Sequence, residues 1–412
     1  MVLGTFTELG VIGLTNAVST FELKQSIYGP PEATLLLAAS RGEPSRNLIK
    51  RLMAGPLDWP TLTRLAIESH ATPGIWNVVS AFPDLPKESE TLQTVAALND
   101  LRRYHIRSLV ATTVRDLRQA GVEVIALKGA ALLAGAVEKP TPRTMSDIDL
   151  LVYKGPPEHA WKVVQSKGWR VVDSSSTEAL YREHHHLPPL VDPNGVGVGL
   201  ELHRRLLSGV DRLGLDVDAF LSRSRLVMVG ATEVRVPSCE DMLLHACLHF
   251  AWSNKLSRGS WSTYADVHSI IADPSFDWGR FLALATTTRR IRQCCFWTLR
   301  MGTRVADLTV PDDVLKRLDP LHGGPFATLL ERHFACRIAN PDAADQVAER
   351  VQRWCWFAAL RESSKSDEAD SVWLQGDVEQ PEQLRPAFQR RGAVRALIGT
   401  LSYLSRLTFS AR

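Results

Sequence analysis

The chain has 412 residues, of which 45% are hydrophobic and 23% charged, and its formal net charge is +3 from 48 basic and 45 acidic side chains. This composition excludes a mostly disordered chain, a collagen-like chain and a coiled-coil rod. The near-balance of charge argues against a protein that coats long nucleic acid, because such a protein carries a strong basic excess.

Residues 1–120 predict a helical N-terminal region. Apolar residues recur at a spacing near 3.6 within 62–66 and again within 101–117. Asp58 and Asp277 each precede a tryptophan and an apolar helical pattern, so we expect each aspartate to cap the start of a helix.

The pattern of apolar residues changes at residue 121, and residues 121–236 predict a core that mixes strands with helices. Short apolar runs rich in β-branched residues indicate buried strands, and the stretches between them indicate helices. The predicted strands are 122–127, 148–153, 169–172 and 196–202, the predicted helices are 129–137 and 158–166, and a turn is predicted at 192–195.

The helical spacing of apolar residues returns after residue 236. Residues 237–360 predict a helical C-terminal domain, 361–391 a polar linker and 392–412 an amphipathic helix. The helices predicted within the C-terminal domain are 239–252, 264–271, 278–287 and 294–305.

Targeting and redox signals are weak. The six cysteines form no Cys-x-x-Cys pair, which argues against a zinc ribbon or a thioredoxin-like motif. The first 21 residues lack a basic n-region and an Ala-x-Ala pattern, and no apolar run approaches the ~18 residues that span a bilayer. We therefore expect a cytoplasmic protein with no membrane span.

Asp147 and Asp149 lie two residues apart at the start of a predicted strand, so their carboxylates point to one face. Two carboxylates held this way repel each other unless a cation lies between them, and oxygen ligands suit Mg²⁺. The alternative is structural, with Asp147 as a cap or turn residue and Asp149 in a salt bridge.

Lys128 and Gly129 fall between the first predicted strand and an Ala-rich helix. A glycine there lets a ligand approach the backbone, and a helix N-terminus offers N–H groups to an anion. Lys128 adds a positive charge suited to phosphate. The alternative is a plain strand-to-helix turn with an exposed lysine.

A third carboxylate candidate, Glu201, lies on a separate predicted strand. The alternation over 196–203 puts Glu201 and His203 on one face together with two glycines, which would leave room for a ligand.

Together these motifs resemble the nucleotidyltransferases of the DNA polymerase β superfamily, and more closely an uncharacterised bacterial nucleotidyltransferase family. The motifs that carry the resemblance are Leu127-Lys128-Gly129, Arg143 followed by Asp147-Ile148-Asp149, and Glu201-Leu202-His203. Ala130 stands where the superfamily has a serine, so Lys128 would have to substitute for its phosphate contact. The resemblance implies an α+β fold, in which a polymerase-β-like core of mixed sheet and helices is flanked by mostly helical regions.

The resemblance also implies transfer of a nucleoside monophosphate from an NTP to an unidentified hydroxyl or phosphate acceptor, which could be a small molecule, a peptide or a protein. Asp147, Asp149 and Glu201 would be the catalytic and metal-binding carboxylates for Mg²⁺ or Mn²⁺. The nucleotide-binding residues would be Lys128, Gly129, Arg143 and His203. For Arg143 a plain salt bridge is the alternative.

The remaining histidines leave further readings open. His185 or His186 could contact the nucleotide or the acceptor, and His249 could face the same cleft. His245 and His249 are spaced i, i+4, so with Asp266 or a residue of 184–186 they could instead hold zinc in a metallohydrolase. A non-catalytic nucleotide-binding or scaffold protein is the third reading.

Overall fold

The computed structural model describes residues 30–40, 46–172, 181, 184–256, 260–320, 325–339 and 349–360. The predicted linker at 361–391 and the predicted helix at 392–412 lie outside the described residues. Within the described part the fold is α+β, as predicted. Among the described helices, none is both long and apolar enough to cross a lipid bilayer.

A seven-stranded mixed sheet forms the centre, with the strand order β3-β4-β5-β2-β1-β7-β6. Its strands are β1 (Glu123–Ala126), β2 (Asp147–Lys154), β3 (Arg170–Val171), β4 (Leu190–Val191), β5 (Gly199–His203), β6 (Arg225–Val229) and β7 (Thr232–Val236). All four predicted strands are present, although β5 begins and ends later than predicted. Two further features were not predicted: β4, which is only two residues long, and the β6–β7 hairpin, whose turn contains Gly230 at φ +60°.

The pairing of β2 decides where polar side chains meet. β2 runs antiparallel to β1 and parallel to β5. In the β2–β5 pair, Asp147 is opposite Gly199 and Asp149 is opposite Glu201. Because directly opposed residues of neighbouring strands share a face, these acidic residues lie on the same side of the sheet.

Within the described residues, five α-helices precede the sheet and carry the predicted N-terminal region. They are α1 (Pro31–Ala38), α2 (Arg46–Ala54), α3 (Trp59–Glu68), α4 (Thr72–Val79) and α5 (Glu90–Gln119). The Asp58 carboxylate accepts a hydrogen bond from the Thr61 backbone N–H at the start of α3, and Asp277 does the same for Arg280. Both predicted helix caps are therefore confirmed.

The helices within and after the sheet complete the fold. Those within it are α6 (Lys128–Ala134), α7 (Pro157–Ser166), α8 (Val210–Leu213) and α9 (Val217–Ser222). Those after it are α10 (Cys239–Leu248), α11 (Ser260–Ile271), α12 (Trp278–Ala285), α13 (Arg289–Val305), α14 (Asp312–Leu318), α15 (Pro325–Ala339) and α16 (Glu349–Leu360).

The predicted helix over 239–252 is a regular α-helix over its first ten residues. The α-helix ends at Leu248, and a π-helical turn, His249–Ser253, follows it. In this wider turn the Ala251 carbonyl accepts a hydrogen bond from the Trp356 indole N–H at 2.7 Å. Turns of this kind often occur at functional sites.

Two hydrophobic clusters hold these elements together. The larger cluster runs without a break from α5 through the sheet to α16, across the predicted domain boundaries near 120 and 236. The division of the chain at those positions therefore stays a prediction. The smaller cluster joins helices α1–α4 to Trp261 and Ala265 of α11, so the N-terminal helices pack directly on the C-terminal ones.

Asp192 organises the turn predicted ahead of β5. Its Oδ1 accepts the N–H groups of Asn194 (3.0 Å) and Val196 (3.1 Å), and its Oδ2 accepts that of Val198 (3.1 Å). Burial opposes ionisation, but these N–H groups outweigh it and hold the pKa of Asp192 below its usual value. The turn fixes where β5 begins. It therefore also fixes the register of β5 against β2, which places Glu201 opposite Asp149.

We expect Asp192→Ala to lower the free energy of unfolding at pH 7 by about 2–3 kcal/mol, because a buried N–H group loses its acceptor and two others must turn to water. Urea unfolding measures this change. Asp100→Ala, which removes an exposed carboxylate on α5, should stay within about 0.5 kcal/mol of the wild type. An effect of Asp192→Ala as small as that of the control would contradict this account.

The effect of Asp192→Ala should also depend on pH. Because the pKa of Asp192 is lower in the folded protein than in the unfolded chain, its carboxylate stabilises the fold above the unfolded pKa. That contribution is lost as the pH falls below about 4. Unfolding curves of the wild type and the variant should therefore converge in acid.

Candidate active site

The β2–β5 ladder brings the predicted acidic residues together on one face of the sheet. Asp149 is nearly fully buried, the Glu201 side chain is 24% exposed, and His203 is fully buried. One ligand atom from each of these three residues lies within 4.8 Å of the other two. Asp147 lies on the same face but outside this closest group.

Asp149 is the centre of the charge network. Its Oδ1 accepts a hydrogen bond from Lys128 Nζ at 2.7 Å and another from His203 Nε2 at 3.0 Å. Burial would raise the pKa of Asp149, but Lys128 and His203 outweigh burial and hold that pKa well below its usual value. Asp149 is therefore a buried carboxylate with a lysine and a histidine as hydrogen-bond partners.

Lys128 reaches Asp149 because of where α6 begins. Lys128 is the first residue of α6 and has a φ of +47°, in the left-handed region that non-glycine residues rarely adopt. Burial would lower the pKa of Lys128, but the charge of Asp149 and its hydrogen bond raise it. The lysine is thus a partly buried, paired cation rather than the exposed turn residue of the alternative hypothesis.

His203 lies between two carboxylates. Its Nε2 is 3.0 Å from Asp149 Oδ1 and 3.5 Å from Glu201 Oε2. Burial would lower the pKa of His203, but its hydrogen bonds to Asp149 and Glu201 raise it. Its Nδ1 is buried and has no hydrogen-bond partner among the described residues. In this arrangement His203 orients the two carboxylates.

The charge on Asp147 has much less compensation. Among the described residues, its Oδ1 has one hydrogen-bond donor, Ser146 Oγ, at a long distance of 3.2 Å. Burial, followed by the negative charge of Asp149, raises the pKa of Asp147 to about 6. This face of the sheet therefore holds more acidic groups than its paired cations neutralise.

Arg143 is occupied by a buried ion pair. Its Nε donates to Asp266 Oδ1 at 2.8 Å and its Nη2 to Asp266 Oδ2 at 3.2 Å, and both side chains are about one-sixth exposed. The pair joins the loop before β2 to α11, across 123 positions of sequence. Asp266 is thus the partner of Arg143, and no local pattern in the sequence connects the two residues.

Gly129 has a different structural reason from the predicted one. A methyl group at this position would collide with the Arg143 guanidinium and would approach Met145 Cε to 3.0 Å. The space beside Gly129 is therefore filled by Arg143 rather than left free for a ligand. The helix that follows is also short, since α6 has only seven residues.

The three consecutive histidines border the carboxylates. His186 pairs with His203 through an antiparallel β-bridge, and its Nε2 lies 3.9 Å from Glu201 Oε2. His185 Nδ1 and Ser208 Oγ share a hydrogen bond of 2.7 Å. Burial lowers the pKa of all three imidazoles, to about 4 for His184 and about 2 for His185. They are neutral at physiological pH.

The described residues do not assemble the alternative zinc site on His245, His249 and Asp266. His245 Nε2 donates to the Leu206 carbonyl at 3.3 Å, and Asp266 is bound by Arg143. None of these residues belongs to a group of potential metal ligands within the described part of the chain. The i, i+4 spacing places His245 and His249 on one face of a helix but does not supply a third ligand. Asp266, the candidate for that ligand, is instead paired with Arg143.

His249 nevertheless lies near the carboxylate face. It opens the π-helical turn, and burial lowers its pKa to about 3, with the charge of Lys128 as the next cause. Ser208 was missed by the sequence analysis, since a serine in a polar stretch gives no signal. Only the fold brings it to His185.

Comparison with known proteins identifies one family. A family described as uncharacterised nucleotidyltransferase matches residues 55–303, more than half of the chain. The matched range includes helices α3 to α13 almost completely and the whole sheet. Comparisons with curated proteins and with solved structures found no match.

We expect Gly129→Ala to lower the free energy of unfolding by about 1–2 kcal/mol. Overpacking costs about 1–3 kcal/mol, and the better helix propensity of alanine offsets at most about 1 kcal/mol of that. Urea unfolding measures the change. Gly55→Ala is the matched control, since a methyl group there meets Leu52 O at 3.5 Å and Arg51 O at 3.9 Å, both ordinary van der Waals contacts. A Gly129→Ala variant as stable as the wild type would contradict the close packing of Arg143.

We expect Asp147→Asn to stabilise the metal-free protein at pH 8, by about 1–2 kcal/mol, a figure reduced from the full value of the shift because the side chain is partly exposed. The folded pKa of about 6 lies above the usual 3.8, so the contribution of Asp147 to stability is lost as the pH rises through 6. Urea unfolding in chelator at pH 8 and pH 5 tests this. The advantage of the variant should shrink at pH 5, and Asp100→Asn should show no such trend.

Proposed function

The chain belongs to the uncharacterised nucleotidyltransferase family, and we propose that it is a Mg²⁺- or Mn²⁺-dependent enzyme that transfers a nucleoside monophosphate from an NTP to a hydroxyl or phosphate acceptor. The observation that carries the proposal is the parallel pairing of β2 with β5, which sets Asp149 opposite Glu201. We further propose that the core is related to that of the DNA polymerase β superfamily.

The residues present fit a divalent cation. Asp147, Asp149 and Glu201 supply the carboxylate oxygens that Mg²⁺ prefers, on one face of the sheet. Their negative charge exceeds what Lys128 and His203 balance, so a bound cation would relieve repulsion. A bound ion would screen the phosphate charges of the NTP and stabilise the departing pyrophosphate.

Lys128 is the residue best placed to meet a phosphate. Its Nζ already lies at the carboxylate face, 2.7 Å from Asp149 Oδ1, and an ammonium group has three donors, so it can hold a phosphate oxygen and Asp149 together. The Arg143 guanidinium packs against Gly129, where a Cβ atom would otherwise lie, and it is paired with Asp266. We therefore propose that Gly129 and Arg143 act on the nucleotide by shaping the site and through charge.

In the proposed reaction the acceptor oxygen attacks the α-phosphorus of the NTP. A new O–P bond forms, the bond between the α-phosphorus and the bridging oxygen breaks, and pyrophosphate leaves. Glu201 is the more exposed of the two close carboxylates, so we propose that it takes the proton of an acceptor hydroxyl. His203 would hold Asp149 and Glu201 in place.

The acceptor side is proposed to lie beyond Glu201. His186 lies next to Glu201, His185 next to Ser208, and His249 near the same face. These neutral imidazoles can donate or accept a hydrogen bond without adding charge. We propose that they contact the acceptor or the nucleotide, which leaves Lys128 as the close cation for phosphate.

The test uses purified protein, Mg²⁺ or Mn²⁺, and each α-labelled NTP in turn, ATP included. We expect label to move to a metabolite pool or to protein in an extract of the source cells. Asp149→Asn and Glu201→Gln should each lower transfer at least about 100-fold, since even an outer-shell partner of a metal is worth about 10- to 100-fold. Asp100→Asn, on the exposed face of α5, is the matched control and should be fully active.

Two results would count against this proposal in different ways. Binding of an NTP that depends on Mg²⁺, without label transfer to any pool, would favour a nucleotide-binding scaffold protein. A complete lack of Mg²⁺-dependent NTP binding by a folded protein would overturn the nucleotide site itself. Equilibrium dialysis with each labelled NTP separates the two.

A further inference from the structure

A second group of potential metal ligands lies beside the carboxylates. One ring nitrogen from each of His184, His185 and His186 lies within 4.8 Å of the other two. The ring centroids of His184 and His186 are 4.1 Å apart, and those of His185 lie 4.5 and 4.8 Å from its two neighbours. Consecutive side chains of an extended strand point to opposite faces, so this convergence requires a bent backbone.

The bent backbone is held on both sides by hydrogen bonds. The carbonyl of His185 accepts the backbone N–H groups of Arg204 at 2.8 Å and Arg205 at 3.1 Å. The N–H of Leu187 donates to the carbonyl of Leu202 at 2.9 Å. The three imidazoles are therefore presented by a segment anchored to β5 and to the turn after it.

The imidazoles are also oriented by outer partners, as in metal sites. His186 Nδ1 donates to the Leu187 carbonyl at 2.7 Å, which leaves the lone pair on Nε2. His185 Nδ1 shares its hydrogen bond with Ser208 Oγ. His184 Nδ1 is buried and has no hydrogen-bond partner among the described residues, a costly arrangement unless a ligand takes that nitrogen.

We propose that His184, His185 and His186 form a binding site for Zn²⁺, distinct from the carboxylate site proposed for Mg²⁺. Three imidazole nitrogens suit zinc, whereas Mg²⁺ prefers oxygen. A zinc ion with three such ligands keeps a fourth position, which Glu201 or an acceptor oxygen can take. The Oε2 of Glu201 lies 3.9 Å from His186 Nε2 and 3.5 Å from His203 Nε2, so Glu201 stands between the two groups.

This inference goes beyond the proposed nucleotidyl transfer and does not depend on it. With zinc bound, His185 and His186 would reach the acceptor through the ion rather than by direct hydrogen bonds. If the inference holds, the zinc ion lies next to the proposed acceptor site. Zn²⁺ is then bound mainly by imidazole nitrogens and Mg²⁺ by carboxylate oxygens. Zinc binding can then be measured without any nucleotide.

The test is calorimetric titration of the chelator-treated full chain with Zn²⁺ in excess Mg²⁺. We expect one Zn²⁺ per chain, and we expect His184→Gln and His185→Gln each to weaken binding at least about 10-fold. His159→Gln is the matched control, because His159 is an exposed histidine on α7; it should bind as the wild type does. His186 is buried, so His186→Gln is used only if its melting temperature in chelator matches that of the wild type.

The proposal is overturned if folded protein binds no Zn²⁺ in excess Mg²⁺. It is also overturned if the histidine variants bind as tightly as the wild type while Asp149→Asn loses the ion, since zinc would then occupy the carboxylate site. Equilibrium dialysis of the same histidine variants with Mg²⁺ and NTP separates this outcome from a failure of the nucleotide site.

Discussion

The buried charge of Asp149 is the constraint on which the rest of the site depends. An isolated carboxylate in this position would cost several kcal/mol, so the fold must supply hydrogen-bond donors that compensate its charge. Lys128 and His203 do so, at 2.7 and 3.0 Å. Lys128 arrives from the β1–α6 junction and His203 from β5, so three separate segments are tied to one carboxylate. The left-handed backbone of Lys128 at φ +47° is consistent with that demand.

Arg143 and Asp147, two other charged residues near Asp149, differ in how their charges are compensated. Arg143 is bound to Asp266, which locks the loop before β2 onto α11 and places the guanidinium over Gly129. Asp147, by contrast, forms no ion pair with a described residue, and burial raises its pKa to about 6. Described residues thus compensate the charge of Asp149 much more fully than that of Asp147. In the proposed function, a divalent cation would supply the missing positive charge.

Local sequence patterns predicted several features of this fold and of its candidate active site. The capping roles of Asp58 and Asp277 depend on neighbours a few residues away, and both caps are present. The shared face of Asp147 and Asp149 follows from the two-residue period of a strand, and the alternation over 196–203 places Glu201 with His203 for the same reason. The exceptions are equally local in origin. The short β4 has too few residues to show a period, and the π-turn after Leu248 breaks a pattern that continues in the sequence.

Local patterns in the amino-acid sequence were thus enough to predict which residues share a face of the sheet, where the helices capped by Asp58 and Asp277 begin, and the motifs of a nucleotidyltransferase family. They could not predict which distant residues become partners. Arg143 binds Asp266, Lys128 and His203 meet at Asp149, and the histidines at 184–186 converge beside Glu201. The two kinds of information differ in the distance along the chain over which they act. Periodicity and capping act over a few residues, whereas an ion pair across 123 positions or a parallel pairing of two strands exists only when the whole chain is packed.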